Sequence, residues 1–297
     1  MTILVRQLPL ERKRAHQMFL RKVGVQMSAD ACLKFGRLLL TGAAGGLGQV
    51  LRPRLKARCD VLRVSDLAKL GAAAPGEEVM PAALQDRAAV LQLLEGVDAV
   101  VHLGGISTEQ PFDDIVQANI IGAYNLYEAA RIHGTRRIVF ASSNHVTGFY
   151  RQDEVIDATM PVRPDGYYGL SKAFGENLAR FYFDRYGIET VCLRIGSSFP
   201  EPRNRRMLAT WMSYDDLERL VVSSLTAPVV GHSIIYGMGD NTTNWWDNTL
   251  ARHIGNRPQD SSEPFRAKIE AADPHPDMTD PAVIFQGGPF VRTGPFE

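Results

Sequence analysis

Between residues 37 and 195 the chain alternates short, unbroken apolar runs with longer stretches whose apolar positions recur every three or four residues. The runs fall at 37–40 (RLLL), 61–64 (VLRV), 78–84, 98–103 (DAVVHL), 137–141 (RIVFA) and 189–195 (ETVCLRI). Runs of this length read as strands of a parallel sheet covered on both faces, with 78–84 the weakest of them. The periodic stretches at 50–57, 86–95, 112–133 and 168–186 read as helices. In the third, Ile115, Ile120, Tyr124, Leu126, Tyr127 and Ala130 mark the apolar positions. This alternation predicts an α/β protein with a doubly wound parallel sheet. Ligands of such sheets bind outside the carboxyl ends of the strands, which is where candidate chemistry belongs.

The first run breaks into Gly42, Gly45 and Gly48, spaced G-x-x-G-x-x-G. The first glycine permits a tight turn out of the strand. The second lets backbone approach a pyrophosphate, and the third lets the next helix pack close with its N-terminus toward the phosphates. The second run ends near Asp66, about where a ribose-binding carboxylate stands in a βαβ unit. The fourth ends in Gly104-Gly105, which lets backbone pass close to a ligand.

Composition narrows the picture. A chain of 297 residues fits one large domain or two small ones, and 45% hydrophobic content supports a real core. Lys+Arg and Asp+Glu are both 33, which argues against a nucleic-acid binder or a polybasic membrane binder. No apolar run approaches a membrane span. Cys32, Cys59 and Cys192 lack metal-ligand spacing and read as free thiols of a reducing cytoplasm, so no metal is expected. Residues 6–22 hold Arg6, Arg12, Lys13, Arg14, Arg21 and Lys22 against Glu11. That segment reads as a dispensable tail, or as sequence upstream of a start at Met27, with a targeting peptide as the alternative. The expected organisation is an extension over 1–36, disordered or dispensable, and one dinucleotide-binding domain over 37–297. Its substrate-binding part is expected mainly in 196–297.

Tyr168 and Lys172 form Y-x-x-x-K at the start of a predicted helix and share one face at i and i+4. A tyrosine is a poor base at neutral pH, because its reference pKa is about 10. A neighbouring ammonium and the positive charge of a nicotinamide both favour the phenolate. Bringing its pKa to about 7 takes roughly 4 kcal/mol. The run at 137–141 leads directly into Ser142 and Ser143.

The glycine spacing with Y-x-x-x-K resembles the extended branch of the short-chain dehydrogenase/reductase superfamily, whose fold is Rossmann-type. In that branch a hydroxyl at the position of Ser143 hydrogen-bonds the reacting oxygen, so Ser143, Tyr168 and Lys172 match the catalytic set. The strings HLGGIS (102–107), YNLYEAAR (124–131), FASSNH (140–145), YGLSK (168–172), IGSSFPEP (195–202), RRMLATW (205–211) and NWWDN (244–248) sharpen the resemblance to uronate dehydrogenases. It runs from about residue 37 to 290. It implies oxidation of D-glucuronate or D-galacturonate at the anomeric carbon by NAD, giving an aldarolactone.

The resemblance further implies that Gly42, Gly45, Gly46, Leu47, Gly48, Asp66, Leu84, Leu103, Asn119 and Lys172 serve the cofactor. It assigns Arg206 to the substrate carboxylate, which an arginine fork suits. Ser107, Ser143, Asn144, His145, Tyr168 and Ser197 contact the sugar, and Phe290 walls its face. Arg203 and Arg205 are expected to be solvated. Asp66, followed by Leu67 and Ala68 with only Lys69 as a nearby cation, favours NAD over NADP. Ala83 departs from the pattern, since relatives place an adenine-binding aspartate there. The expected partner is a small uronic acid, in a homo-oligomer. Two alternatives stand beside this reading. One is a nucleotide-sugar epimerase or dehydratase, although only about 125 residues follow the Y-x-x-x-K. The other is a non-catalytic NAD-sensing regulator.

Overall fold

A computed structural model describes residues 34–294. The expectations for residues 1–33, including the basic segment and Cys32, lie outside the described residues. Seven strands form one parallel sheet: β1 (Phe35–Thr41), β2 (Cys59–Ser65), β3 (Glu77–Val79), β4 (Ala99–His102), β5 (Arg137–Ser143), β7 (Glu189–Ile195) and β10 (His232–Gly237). The spatial order is β10-β7-β5-β4-β1-β2-β3. The expected Rossmann-type doubly wound sheet is therefore present, with its order reversing between β1 and β4.

The helices cover both faces. They are α1 (Gly46–Leu55), α2 (Arg87–Leu93), α3 (Phe112–Ile115), α4 (Gly122–His133), α5 (Tyr167–Tyr186), α6 (Met207–Thr210), α7 (Tyr214–Thr226), α8 (Arg266–Ala272) and α9 (Pro281–Ile284). Leu38 and Leu40 join one core cluster with Leu51 and Leu55 of α1 and Leu217 and Val221 of α7. Leu39 joins the other, with Val90 of α2, Leu126 of α4 and Tyr182 of α5. Alternate side chains of one strand thus serve two cores, which is why the strand reads as a continuous apolar run.

Three departures from the expected elements have physical reasons. The third strand stops at Val79, two residues before Pro81, whose missing N–H cannot extend a ladder. The helix expected over 112–133 contains a π turn, Val116–Ile121, which carries Asn119. Such bulges recur at functional sites. The seventh strand, β10, and α7 before it were not anticipated. Yet α7 carries Leu217, Leu220, Val221, Ser224 and Leu225 on its buried side behind an N-capping Ser213, a legible amphipathic pattern.

Two short pairs extend from the carboxyl edge: β6 (Ile156–Asp157) with β11 (Trp246–Asp247), and β8 (Ser197–Ser198) with β9 (Trp211–Met212). Trp245 and Trp246 are buried in a cluster with Tyr150 and Ile156, Trp246 stacking on Tyr236 at 5.0 Å. The chain end folds back over residues 144–165. Gln286 holds this return, donating from its amide to the carbonyls of Arg151 and Glu154, both at 2.9 Å, and accepting from Trp246 Nε1 at 2.9 Å.

Candidate active site

A cavity of about 660 Å³ opens at the carboxyl ends of β1, β2, β4, β5 and β7. One half is built by the glycine loop. Gly42 has φ +70° and lies so close to Leu103 and Gly104 that a Cβ would overlap their backbone. A Cβ on Gly48 would overlap the Gly42 carbonyl and lie 2.7 Å from Ala43 Cα. These two glycines bring α1 against the sheet. Gly46 faces open space instead, a Cβ on Gly45 would lie 3.3 Å from the Gly42 carbonyl oxygen, and α1 has no capping side chain over its N-terminus. Its first-turn N–H groups point to an anionic ligand. Asp66 Oδ2 accepts from the Ala44 amide at 3.0 Å and Oδ1 from Ala68 at 3.0 Å, so this carboxylate is fixed beside the loop. The cradle and the carboxylate fit a dinucleotide. Leu47, Leu84 and Leu103 add apolar wall.

The other half holds Ser107, Ser143, Asn144, His145, Tyr168 and Lys172. The start of α5, which carries the tyrosine and lysine, is fixed by a distant group. Glu109 accepts from the amides of Tyr167 at 2.6 Å and Tyr168 at 2.9 Å, and Gly166 leaves room for it. Asn119 does not line the cavity. Its amide is spent on Ile106 N–H (2.8 Å), Ile106 carbonyl (3.0 Å) and Ser171 Oγ (2.9 Å), tying the loop after β4 to α5.

The Ser143 hydroxyl hydrogen-bonds the Tyr168 phenol and draws its pKa down, yet burial dominates and pushes the phenol up to about 12. Lys172, 5.6 Å from the Tyr168 ring and 5.2 Å from that of Phe140, is pushed down to about 8 by burial. The expected depression of the tyrosine by the lysine is therefore not produced by these two side chains alone. Both are buried, and desolvation disfavours each charged form.

Ser197 and Arg206 lie behind the cavity wall. Arg206 is half-buried. It donates from Nε to the Gln286 carbonyl at 2.6 Å and from Nη1 to Ser197 Oγ at 3.2 Å. With the Asn144 amide oriented to suit its neighbours, Arg206 Nη2 donates to the Asn144 oxygen at 2.6 Å, and Asn144 donates to the Ile195 carbonyl at 3.1 Å. Burial pulls the guanidinium down to about 10, with the charge of Asp165 acting against that. Among the described residues no salt bridge neutralises it. Arg205 is only partly exposed and packs against Glu270 and Asp273. Arg203 lies 4.0 Å above the Phe199 ring.

Several site residues were missed by the sequence reading: Glu109, Asp165, Gln286 and Ser171. Phe290 stacks on His145 at 3.8 Å. His145 Nδ1 pairs with Asp165 Oδ2 at 2.6 Å. Among the described residues no group of three or more His, Cys, Asp or Glu is placed to hold a metal ion.

His102 also sits at this edge, its Nδ1 2.7 Å from Thr41 Oγ1, which in turn accepts from the Gly104 amide at 3.2 Å. Burial, with a smaller push from the Lys172 charge, lowers His102 from 6.5 to about 3. The unfolded chain binds this proton near pH 6.5 and the folded chain does not until about pH 3. Stability should therefore fall as pH drops through that window, by up to about 5 kcal/mol from this group. His145 and His232, also held low by burial, add slopes of the same sign. Denaturant unfolding at pH 7 and pH 4.5 measures the slope, and His102→Gln should flatten it.

Fold and site together define a dinucleotide-dependent oxidoreductase with a Tyr-Lys-Ser centre. Residues 38–225 match the NAD dependent epimerase/dehydratase family. A uronate dehydrogenase of Pseudomonas putida is 61% identical, over 88% of this chain and 98% of its own. One of Agrobacterium fabrum is 53% identical, over 86% and 96%. The solved structure of a mutant uronate dehydrogenase from Agrobacterium tumefaciens complexed with NAD has 52% identity and a TM-score of 0.86, covering 88% of this chain and 98% of its own. A glucuronic acid dehydrogenase from Chromohalobacter salexigens has the same identity and score, covering 87% and 97%. The chain belongs to the NAD dependent epimerase/dehydratase family and, within it, to the uronate dehydrogenases.

Proposed function

We propose that this protein is an NAD-dependent uronate dehydrogenase that oxidises D-glucuronate and D-galacturonate at the anomeric carbon to the aldarolactone. The single observation that carries the substrate class is a half-buried arginine, Arg206, held by neutral groups beside a Tyr-Lys-Ser centre. A guanidinium partly withdrawn from water and held only by neutral groups lacks a counter-ion, and a substrate carboxylate supplies one.

The glycine loop, the α1 N-terminus and Asp66 hold the cofactor, with Leu84, Leu103 and Lys172 along it. Bound NAD supplies the hydride acceptor and a positive charge beside the tyrosine. Tyr168 takes the proton of the anomeric hydroxyl and Ser143 holds that oxygen. Lys172 keeps a positive charge near the phenol, favouring its ionised form. Arg206, with Asn144 in front of it and Ser197 holding its guanidinium from behind, anchors the carboxylate, and Ser107 and His145 orient the ring. Phe290 closes the sugar face. The segment 196–297 adds Arg206 and Phe290 to a substrate side that Ser107, Ser143, Asn144, His145 and Tyr168 already line.

The epimerase or dehydratase reading is not favoured by relatives at 53–61% identity named uronate dehydrogenase. The sensor reading is not favoured beside a complete Ser143, Tyr168 and Lys172 set facing one cavity. The test is formation of reduced nicotinamide, followed by its absorbance, with NAD and either uronate. Turnover of neutral glucose at the rate of glucuronate would overturn the carboxylate assignment.

A homo-oligomer is the proposed assembly. Tyr167, Leu170, Phe174 and Phe181 line one side of α5 and are 37–49% exposed, and Phe112 lies 5.2 Å from Tyr167. Apolar side chains grouped in this way mark an interface. Leu170→Glu with Phe174→Glu should reduce the sedimenting mass to that of a monomer, and an unchanged mass would sink the assignment. No helix among the described residues is long and apolar enough to cross a membrane. The buried free thiols Cys59 and Cys192 suit a cytoplasmic protein.

A further inference from the structure

Asp165 touches neither the reacting centre nor the cofactor cradle, yet the chain is shaped around it. Its side chain is fully buried. Oδ2 pairs with His145 Nδ1 at 2.6 Å, while Oδ1 has no hydrogen-bond partner among the described residues. Three glycines surround it. A Cβ at Gly148 or Gly287 would overlap the carboxylate, and one at Gly169 would lie 3.2 Å from Oδ1. A half-satisfied buried carboxylate weakens a fold, so three backbone segments cleared to admit one point to a task outside stability.

We infer that Asp165 is a positioning residue that holds His145 as the Nδ1–H tautomer, leaving the Nε2 lone pair to accept a hydrogen bond from a ring hydroxyl of the sugar acid. This rests on the uronate-oxidising reading, which supplies the hydroxyl.

The rest of the ring's surroundings agree. His145 stacks on Phe290 at 3.8 Å and 23°, so the ring cannot turn without displacing the chain end. Its backbone amide donates to Ser143 Oγ at 3.2 Å, and its carbonyl accepts from the Asp165 amide at 3.3 Å. Nδ1 is thereby engaged, and among the described residues Nε2 has no hydrogen bond while the residue lines the cavity. Of the charged groups facing the ring, Asp165 and Glu109 favour its protonation and Arg206 opposes it. Burial outweighs them and keeps the ring below its ordinary pKa, hence neutral. A neutral imidazole must choose a tautomer, and the hydrogen bond at one nitrogen fixes the role of the other. The His145 and Tyr168 rings also meet edge to face with centroids 5.8 Å apart, so what His145 holds lies beside the reacting centre.

The test has two parts, both on the full chain. Histidine-labelled wild-type enzyme with NAD bound should show a neutral, Nδ1-protonated ring for His145 by nitrogen NMR, the signal being identified by its loss in His145→Gln. An Nε2-protonated or charged His145 would overturn the inference, whether or not any Asp165 variant folds. In kinetics, Asp165→Asn and His145→Gln should each lower kcat/KM for glucuronate about tenfold or more, with NAD affinity kept. The double variant should fall no further than the weaker single variant, because the two residues act as one unit. Losses that multiply in the double variant would make Asp165 merely structural and overturn the inference. If wild-type enzyme turns over no uronate, the substrate reading fails, and the NMR measurement still decides the tautomer.

Discussion

Replacing Tyr168 with phenylalanine is expected to lower kcat by about 10³-fold, within the span that a positioned acid–base group supplies. The change removes one oxygen and keeps the ring, which packs 6.2 Å from Phe290 and 5.8 Å from His145 by centroids. NAD affinity and the unfolding temperature should therefore stay close to wild type. The size of the effect follows from the local electrostatics. Enclosure pushes the phenol to about 12, so the folded chain by itself stabilises the acid form, and Ser143 is the group that works against it. A phenol so placed ionises only when positive charge is gathered beside it, from Lys172 and from the nicotinamide. Phenylalanine leaves no acceptor for the anomeric proton at all. Stopped-flow and steady-state measurement of nicotinamide reduction, with NAD binding followed separately, check the prediction. A loss of less than tenfold would assign the proton to another group.

Arg206→Ala should raise KM for glucuronate by about 10²–10³-fold while changing kcat far less, the mark of a group that binds ground state and transition state alike. The magnitude corresponds to about 3–4 kcal/mol, within the range for removing one partner of a hydrogen-bonded charge pair that the bound substrate shields from water. The guanidinium is already oriented by the Gln286 carbonyl, Ser197 and Asn144, so little side-chain entropy remains to be lost when an anion arrives. Because Asn144 stands between Arg206 and the cavity, Asn144→Ala should also raise KM, by about tenfold, as one hydrogen bond to a charged group is lost. Initial rates over a wide uronate range measure both. A fall in kcat with KM unchanged in Arg206→Ala would move the arginine from substrate anchoring to the chemical step.

The physics of a few consecutive residues settled much of this protein from the sequence. Leu38, Leu39 and Leu40 are apolar without alternation because both faces of β1 are covered, and that pattern survives in one dimension. The glycine loop is legible because Gly42 and Gly48 answer to backbone a few residues away in the chain or on the adjoining strand end. Tyr168 and Lys172 are legible because a helix brings i and i+4 together wherever it lies. Even α7 and β10 carried their signals, a capped amphipathic period and a short apolar strand.

Tertiary structure alone decided the rest, where one segment meets another far along the chain. Glu109 caps α5 from 58 residues away, which no local capping pattern encodes. Asp165 reaches its histidine across 20 residues, and its space exists because Gly148 and Gly287 arrive from different segments. Arg206 is held by the carbonyl of Gln286, 80 residues on, where the chain end returns over the site. Burial sets the charge states here as well: Tyr168 and Lys172 shift in the directions that enclosure dictates. Enclosure is a property of the packed molecule, while spacing and periodicity belong to the string of residues.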